Sequence, residues 1–528
     1  MHASSASTSG TVARRPNALG LRTHVLRSLI GWLPLALAAL APQANAAGAS
    51  PAGFDGLTRA VQQFKSATDH PTGTAVIVVK DGKIAYQGYF GLADVEARTP
   101  VARDTVFYVA SATKPFFALD ALLAAHARRI DMGTSLQAMF PDARFSGFDA
   151  GRITARDLLT HTAGIENGPL GWAVAFSGVH DAASLHRLVA ASTPNAEAPL
   201  GTFDYTNIGY NIASVWLDRI DAKPWQAQLR ERIFAPLRMT HTTARASEAD
   251  ARGWTVAKPY SFIAADRKLP LYLRKTDATM HAAGGMLSSA PDLARFLVAQ
   301  LADGKVERKQ TLPAAVIRAS QVPQAATDSA YLDVPRDGYA WGWYTGAYKG
   351  RRMLHHFGGF AGFHAHLSFM PEAGVGLVVL NNEDVLGARL TNLIADYAYG
   401  VALAEPGIDA KATERFANLA SDARQLEQAA VRQRDALKGR PWRLSLPRSA
   451  YTGRYLASDL GEMTVTLRAD DALVLRSGQL QAVASGFDKP DHVRIEFVPN
   501  SGEVLAFAVR DGEVEALVLD GMRFVKAR

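Results

Sequence analysis

The stretch VFYVASATKPFFALDALLAAH, residues 106–126, contains the residues from which both the fold and the chemistry of this chain are predicted. Its first five residues are apolar and indicate buried extended chain, whereas residues 115–126 are mainly apolar with a proline in the opening turn, which predicts a buried helix. Between them lie Ser111 and Lys114. At this spacing both side chains point to the same side of a helix, so the amine is placed to activate the hydroxyl. No other Ser-x-x-Lys occurs in the chain.

This pairing predicts two catalytic functions at one place. A serine hydroxyl is a poor nucleophile at neutral pH and needs an adjacent base, which Lys114 supplies. If Ser111 lies on the first turn of the helix, backbone N–H groups without intrahelical partners surround it and favour an oxyanion that forms there. The stretch therefore predicts a serine hydrolase.

Two further motifs would complete the machinery, and each occurs once. Tyr205-Thr206-Asn207 lies in a loop-like segment before an apolar helix predicted over 211–220. A nearby ammonium favours the phenolate, so Tyr205 is predicted to share the serine proton with Lys114, while Asn207 orients the lysine or a substrate amide. The second motif, His356-Phe357-Gly358-Gly359, precedes a strand-like run, and its glycines let the backbone approach a bound acyl group closely.

These three motifs, in this order, resemble those of the serine β-lactamase and penicillin-binding-protein superfamily. In the branch similar to class C β-lactamases, D-aminopeptidases and related esterases, the second motif is Tyr-x-Asn and the third is Lys-Thr-Gly or His-x-Gly. The resemblance covers roughly residues 55 to 404.

The resemblance also implies a role for each matching residue. Ser111 would be the acylated nucleophile, and Lys114 and Tyr205 the proton-transfer pair. The oxyanion hole would consist of the backbone N–H groups of Ser111 and Gly359. The residues that would position the substrate are Asn207, His356 and Gly358.

Position 356 departs from the Lys-Thr-Gly members of the family. Those members use lysine and threonine to recognise a substrate carboxylate, whereas His356 is largely neutral and Phe357 has no hydroxyl. The departure favours an esterase, D-aminopeptidase or carboxypeptidase type of enzyme over a dedicated β-lactamase, although weak β-lactamase activity needs only the same acyl chemistry. The alternative is a non-catalytic ligand-binding or scaffold protein that retains the fold, and the intact Ser111, Lys114 and Tyr205 argue against it.

The first 46 residues predict export. They contain four arginines and no acidic residue, then an apolar stretch over 29–41 and the small-residue site Ala44-Asn45-Ala46, which is typical of a signal peptide. The predicted location is therefore the periplasm or the exterior, with no stable membrane anchor after cleavage. Removal of these four arginines lowers the formal charge from +7 to +3, and no basic run is interleaved with aromatics, so no nucleic-acid partner is predicted.

No cofactor or metal is predicted either. The chain contains no cysteine, which excludes disulfides and thiolate ligands. Four histidines cluster in sequence, but without a His-Glu-x-x-His pattern or an acidic residue among them no metal site is predicted. They are His355, His356, His364 and His366. The predicted partner is a small-molecule or peptide substrate, and the pattern leaves the oligomeric state open.

The rest of the catalytic region, predicted over 47–404, indicates an α+β fold. Two hairpins are predicted, at 74–90 around the tight-turn pair Asp81-Gly82 and at 365–380. Because strands lie at both ends and helices between them, the first and last strands are predicted to share one antiparallel sheet flanked by helices. The resemblance implies the same β-lactamase-like sheet, with the site between it and a helical subdomain.

The composition changes beyond residue 404. Residues 405–446 are rich in Ala, Gln, Arg and Glu and predict a solvated linking helix. Residues 447–528 form short alternating segments separated by turns, which predicts a small antiparallel β-barrel. This part resembles the lipocalin-like C-terminal domain of some class C-type hydrolases. Its predicted role is either packing against the catalytic domain or shaping the mouth of the active site.

Overall fold

The structure is a computed structural model, and it describes residues 53–528. The predicted signal peptide, residues 1–46, lies outside the described residues. Within the described part of the chain, no helix combines the length and the apolar character needed to span a membrane.

The α-helices of the described chain lie mostly between the first and last strands of the main sheet. In chain order they are α1 (Phe54–Ala67), α2 (Lys114–His126), α3 (Leu136–Met139), α4 (Ala155–Leu159), α5 (Gly168–Trp172), α6 (Ala182–Ala190), α7 (Ile208–Asp221), α8 (Trp225–Leu229), α9 (Ala246–Ala251), α10 (Ala290–Leu301), α11 (Ala314–Ser320), α12 (Leu386–Ala402) and α13 (Ile408–Lys438).

The described strands before residue 400 form the main sheet, a three-stranded sheet and three short pairs. In chain order they are β1 (Thr74–Lys80), β2 (Lys83–Phe90), β3 (Leu92–Asp94), β4 (Thr99–Pro100), β5 (Val106–Tyr108), β6 (Ile165–Glu166), β7 (Thr193–Pro194), β8 (Thr242–Thr243), β9 (Leu287–Ser289), β10 (Lys305–Val306), β11 (Lys309–Gln310), β12 (Ala325–Tyr331), β13 (Val334–Tyr339), β14 (Tyr344–Tyr348), β15 (Arg351–Phe360), β16 (Phe363–Met370) and β17 (Val375–Asn381). The three-stranded sheet consists of β5, β9 and β8.

The main sheet is antiparallel and has the strand order β12-β13-β14-β15-β16-β17-β1-β2. Strand β1 pairs with β17, with Thr74 opposite Asn381, so the first and last strands share one sheet as predicted. The β1–β2 hairpin also follows the prediction. Both turn residues have positive φ, 49° at Asp81 and 73° at Gly82, as a two-residue hairpin turn requires.

Both faces of this sheet are covered. On β1, Ile77 packs into the core shared with α2 and α10, while Val78 packs into a second core shared with α1, α12 and α13. A strand buried on both faces needs apolar residues at every position, which explains the continuous apolar run of β1.

The helix that the composition predicts beyond residue 404 is present as α13, but one side of it is buried and not solvated. Its buried residues, among them Ile408, Phe416 and Leu419, pack into the core shared with α1 and α12. They recur at intervals of three or four residues, so they form one narrow apolar stripe on an otherwise polar helix. Average composition hides such a stripe, whereas its spacing predicts burial.

The C-terminal strands form a nearly closed antiparallel barrel, which confirms the predicted fold class. The strand order is β21-β20-β19-β18-β26-β25-β24-β23-β22, and the interior is filled by apolar side chains such as Tyr455, Leu475 and Phe524. The strands are β18 (Gly453–Ala457), β19 (Gly461–Leu467), β20 (Leu473–Ser477), β21 (Leu480–Val483), β22 (Ser485–Gly486), β23 (His492–Ile495), β24 (Glu503–Arg510), β25 (Glu513–Leu519) and β26 (Met522–Lys526).

The barrel packs against the helical subdomain. The Gln479 side-chain amide donates to the carbonyl of Phe176 at 3.0 Å and to the Thr279 hydroxyl at 3.2 Å. The rings of Trp172 and Phe497 meet edge to face at 5.7 Å. The barrel therefore contacts the segment around Trp172 and Phe176 and the residues just before Ala283.

Candidate active site

The predicted nucleophile lies on a tight turn between β5 and α2. Residues Ala110–Thr113 form a 3₁₀ turn, and Lys114 is the first residue of α2. Ser111 thus precedes the α-helix and does not lie on its first turn, because Ala110 has a φ of +46° and turns the chain sharply before the helix begins. Side chains three residues apart eclipse one another in a 3₁₀ turn, which brings Ser111 and Lys114 together. The Lys114 Nζ lies 3.2 Å from the Ser111 Oγ.

The Lys114 amine is completely buried and has fixed partners. Its Nζ lies 2.7 Å from the Asn207 Oδ1 and 2.9 Å from the Ala283 carbonyl oxygen. Burial lowers the pKa of Lys114 well below its ordinary value. A neutral amine has two N–H donors and one lone pair. If the two carbonyl oxygens accept the two N–H bonds, the lone pair is left for the hydroxyl proton of Ser111.

The Asn207 side chain departs from the ordinary role of its position. Asn207 is the N-cap residue of α7, where an asparagine side chain usually accepts a backbone N–H of the helix. Here its oxygen accepts from Lys114, and the Thr206 Oγ1 accepts the N–H of Ile208 at 3.2 Å. The helix terminus therefore orients an amide toward the lysine, as predicted for Asn207.

Tyr205 adjoins both of these residues. Its side chain makes a hydrogen-bonding contact with Ser111, and its ring centroid lies 4.7 Å from the Lys114 Nζ. Burial raises the pKa of Tyr205 well above its ordinary value, more than the Ser111 contact lowers it, so the surroundings favour the neutral phenol over the predicted phenolate. The physical reason is that the pocket disfavours charge on both groups. These directions favour Tyr205 as the group that donates a proton and Lys114 as the group that accepts one, and both roles stay predictions.

The His356 motif lies on β15, beside the nucleophile turn. The imidazole is 1% exposed, and its Nδ1 donates to the Phe357 carbonyl at 2.8 Å. Burial, aided by the charge of Lys114, lowers the pKa of His356 well below its ordinary value. The ring lies 5.9 Å from that of Tyr205. His356 is thus a neutral group in the wall of the site.

The two glycines of this motif have different surroundings. A Cβ at Gly358 would lie 1.9 Å from the Val109 carbonyl oxygen, so only a glycine lets β15 pack directly on the nucleophile turn. A Cβ at Gly359 would meet no atom within 4 Å. Gly359 therefore borders open space beside Ser111's turn. Its role in an oxyanion hole stays a prediction.

Several residues at the site lie outside the three sequence motifs. The Ala283 carbonyl directly precedes Gly284-Gly285. This glycine pair is closely packed against its surroundings, and the Tyr108 hydroxyl donates to the Gly284 carbonyl. Around Tyr205 lie the rings of His161 at 4.6 Å and Tyr344 at 5.9 Å. These rings pack around Tyr205 although they are far from it in the sequence, so no local motif identifies them.

Of the other clustered histidines, His364 and His366 each hydrogen-bond to a protein side chain, whereas the ring of His355 is stacked on Tyr344 and Phe357. The His364 Nε2 lies 3.2 Å from the Tyr331 hydroxyl, and the His366 Nε2 lies 2.6 Å from the Ser368 Oγ. Within residues 53–528, no three His, Cys, Asp or Glu side chains are grouped as metal ligands.

Comparison with known proteins places this architecture in a family. The family model described as Beta-lactamase matches residues 57–399, so the chain belongs to the Beta-lactamase family, whose members are serine hydrolases. An octameric penicillin-binding protein homologue from Pyrococcus abyssi has a similar fold, with a TM-score of 0.56 at 19% identity over 90% of this chain and 100% of that one. The crystal structure of SurE gives 0.53 at 20% identity, over 90% and 99%.

Curated relatives are distant. An unguisins hydrolase of Aspergillus campestris is 27% identical over 65% of this chain, and the match spans 62% of that relative's length. A second unguisins hydrolase, of Aspergillus violaceofuscus, is 25% identical over 76% of this chain and 74% of the relative. Protein flp of Staphylococcus aureus is 22% identical over 59% and 60%.

Proposed function

We propose that this protein hydrolyses esters, amides or small peptides through an acyl-enzyme on Ser111. One observation carries the proposal: the Lys114 Nζ, fully buried and with a lowered pKa, lies 3.2 Å from the Ser111 Oγ. A base must be within hydrogen-bonding reach of the proton it removes, as Lys114 is, and its neutral form must be accessible, which the lowered pKa favours.

The proposed acylation uses the three side chains in sequence. Ser111 Oγ attacks the substrate carbonyl carbon while its proton moves to the lone pair of Lys114. The carbonyl electrons move to the oxygen, which the backbone N–H groups of Ser111 and Gly359 would stabilise. Collapse of this intermediate restores the carbonyl and expels the leaving group. The leaving group takes the phenol proton of Tyr205, and Lys114 returns a proton to Tyr205.

Deacylation repeats these steps with water. Water loses a proton to Lys114 and adds to the acyl carbon, and the Ser111 oxygen leaves and regains its proton. The product is a carboxylic acid, and the enzyme returns to its starting protonation state. No net charge accumulates in the buried pocket between the two half-reactions, in accord with the shifted pKa values of Lys114 and Tyr205.

The residues in the wall of the site bear on which substrates are proposed. At the positions of a carboxylate-recognising lysine and threonine stand a buried neutral imidazole, His356, and the apolar Phe357. This favours esterase, D-aminopeptidase or carboxypeptidase activity over efficient β-lactam hydrolysis. Two distant relatives are named as hydrolases of unguisins, which supports hydrolysis as the reaction class.

Covalent labelling tests the proposal against the alternative of a ligand-binding or scaffold protein. The purified protein is treated with a fluorophosphonate and its intact mass is measured. We expect one adduct, absent in Ser111→Ala and retained in the matched control Ser329→Ala, which changes an exposed serine on β12. An unlabelled wild type, or an equal adduct on Ser111→Ala, contradicts catalysis and supports the alternative.

A substrate panel then separates the remaining options. Rates are compared for p-nitrophenyl esters, D-alanyl amides and a chromogenic cephalosporin. We expect the esters or amides to be turned over with the higher kcat/KM. A cephalosporin preference would contradict the argument from His356 and Phe357.

Export is also proposed, on the composition of residues 1–46. N-terminal sequencing of the protein from a cell fractionation tests it. We expect a mature protein in the exported fraction that begins after Ala46. An intact leader in the cytoplasmic fraction contradicts export.

A further inference from the structure

His161 lies at a strained position beside the segment that carries Tyr205. Its φ is +62°, the left-handed region that glycine and asparagine adopt most easily. Its side chain is only 2% exposed. A glycine would adopt this backbone conformation at lower cost, and the contacts of the imidazole show what the histidine provides in its place.

The contacts of His161 converge on Tyr205 from both sides in sequence. Its carbonyl oxygen accepts the N–H of Asp204 at 2.8 Å, and its Nδ1 accepts the N–H of Thr206 at 3.2 Å. Its ring packs against the Tyr205 ring at 4.6 Å. The two residues that flank Tyr205 and the phenol ring itself are therefore all held by one side chain and its own carbonyl.

The protonation state of His161 follows from these contacts. A backbone N–H only donates, so Nδ1 has its lone pair toward Thr206 and the ring proton is on Nε2. That Nε2 is buried and has no hydrogen-bond partner among residues 53–528. Burial, with contributions from Lys114 and His356, lowers the pKa of His161 well below its ordinary value, which keeps it neutral.

Further rings restrict the orientation of the imidazole. Tyr339 lies 4.7 Å from it, Tyr210 5.4 Å and Phe203 5.9 Å. The imidazole thus lies within an aromatic surround that leaves it little freedom to rotate. A residue that is itself so restricted can hold its neighbour to a narrow range of positions.

We propose that His161 is a positioning residue, whose ring and Nδ1 fix the Tyr205 phenol in hydrogen-bonding contact with Ser111. This inference rests on the proposed function, because it concerns the proton that Tyr205 transfers. It differs from a structural role in one measurable way: its effect on rate passes through the Tyr205 hydroxyl. Without that hydroxyl, the position of the Tyr205 ring no longer affects proton transfer.

A double-mutant cycle measures that dependence. The variants are His161→Ala, Tyr205→Phe and the double mutant, with kcat and KM determined on a p-nitrophenyl ester and folding checked by circular dichroism. We expect His161→Ala to lower kcat about 30- to 100-fold with KM within about threefold, the scale of a misplacement of about 1 Å. In the Tyr205→Phe background we expect less than about a threefold further loss.

Two more variants complete the design. His161→Asn places an oxygen near the position of Nδ1 and favours the left-handed backbone, so we expect it to recover at least about tenfold of the lost rate. It also keeps the test usable if His161→Ala does not fold. The matched control is His70→Ala, which removes another buried histidine, hydrogen-bonded to Thr72 beside β1. Its effect should be the same factor in both backgrounds.

The outcomes separate this inference from the proposed function. If the wild type forms no fluorophosphonate adduct, the proposed function fails. If the enzyme is active but the His161 and Tyr205 effects multiply as independent losses, only the positioning role is overturned. A His161→Ala enzyme with unchanged kcat overturns it as well, as does a His161→Asn enzyme that folds but is no better than His161→Ala.

Discussion

The substitution Gly358→Ala tests whether the close packing of β15 on the nucleophile turn matters for catalysis. The added Cβ would lie 1.9 Å from the Val109 carbonyl oxygen, 2.9 Å from the Val109 carbonyl carbon and 3.1 Å from the Ala112 nitrogen. All three are backbone atoms, so no side chain can rotate away. Reaching even 3.0 Å requires the strand and the turn to separate by about 1.1 Å.

Such a shift moves Ser111 relative to its partners, because Val109 directly precedes the turn that carries Ser111 and Ala112 is the next residue after Ser111 within it. A misplacement of about 1 Å costs on the order of a hundredfold in rate, and overpacking costs about 1–3 kcal/mol of stability. We therefore expect the rate of fluorophosphonate labelling to fall about a hundredfold. The protein should stay folded but unfold at a lower urea concentration.

The assay compares labelling kinetics of Gly358→Ala with those of Gly359→Ala. The second substitution makes the same chemical change one residue away, where the new Cβ meets no atom within 4 Å. We expect Gly359→Ala to lose at least about tenfold less labelling rate than Gly358→Ala and to retain wild-type stability. Equal rates for Gly358→Ala and wild type would refute the reasoning, as would equal losses in the two variants.

Three further outcomes follow from the charges of the buried groups. Lys114→Ala and Tyr205→Phe should each lower kcat by about a hundredfold or more, and activity within tenfold of wild type would remove that residue from the mechanism. Because the reactive form of Lys114 is the neutral amine and its pKa is lowered, kcat/KM for a neutral ester should rise with pH and become level well below the range in which an ordinary lysine titrates; a profile that keeps rising to pH 10 contradicts this. Arg232→Met removes the cation 3.1 Å from Asp120, whose side chain is fully buried, and should lower the free energy of unfolding by about 3–5 kcal/mol in urea titrations. The exposed Arg238→Met control should cost no more than about 1 kcal/mol, and equal losses would show that the buried pair is not special.

Much of the fold was predictable because its signals are local. The β1–β2 hairpin follows from a two-residue turn between apolar runs, and the barrel from alternation with turn residues at short intervals. The pairing of β1 with β17 followed from the placement of strands at the two ends of the catalytic region. The packing of α13 was not predicted, because its few apolar residues are a small share of a polar helix and only their spacing indicates a buried side.

The residues of the candidate site also fall into two groups, those that motifs predicted and those that only the tertiary contacts revealed. The Ser111–Lys114 pair is set by a spacing of three residues, and Tyr205, Asn207 and His356 were identified by their motifs. The Ala283 carbonyl carries no such signal, because a backbone acceptor can come from any residue. His161 belongs to a segment that the resemblance covers, but only its contacts show what the imidazole holds.

The sequence by itself determined which groups can react and which short segments form turns, hairpins and helices, because these depend on side-chain chemistry and on neighbours a few residues apart. The tertiary structure decided their protonation states and partners. The pKa of Lys114 is lowered and that of Tyr205 is raised because packing removes water from both, and desolvation is a property of everything that surrounds a group. Residues far apart in the chain supply that surround, so no local pattern records it.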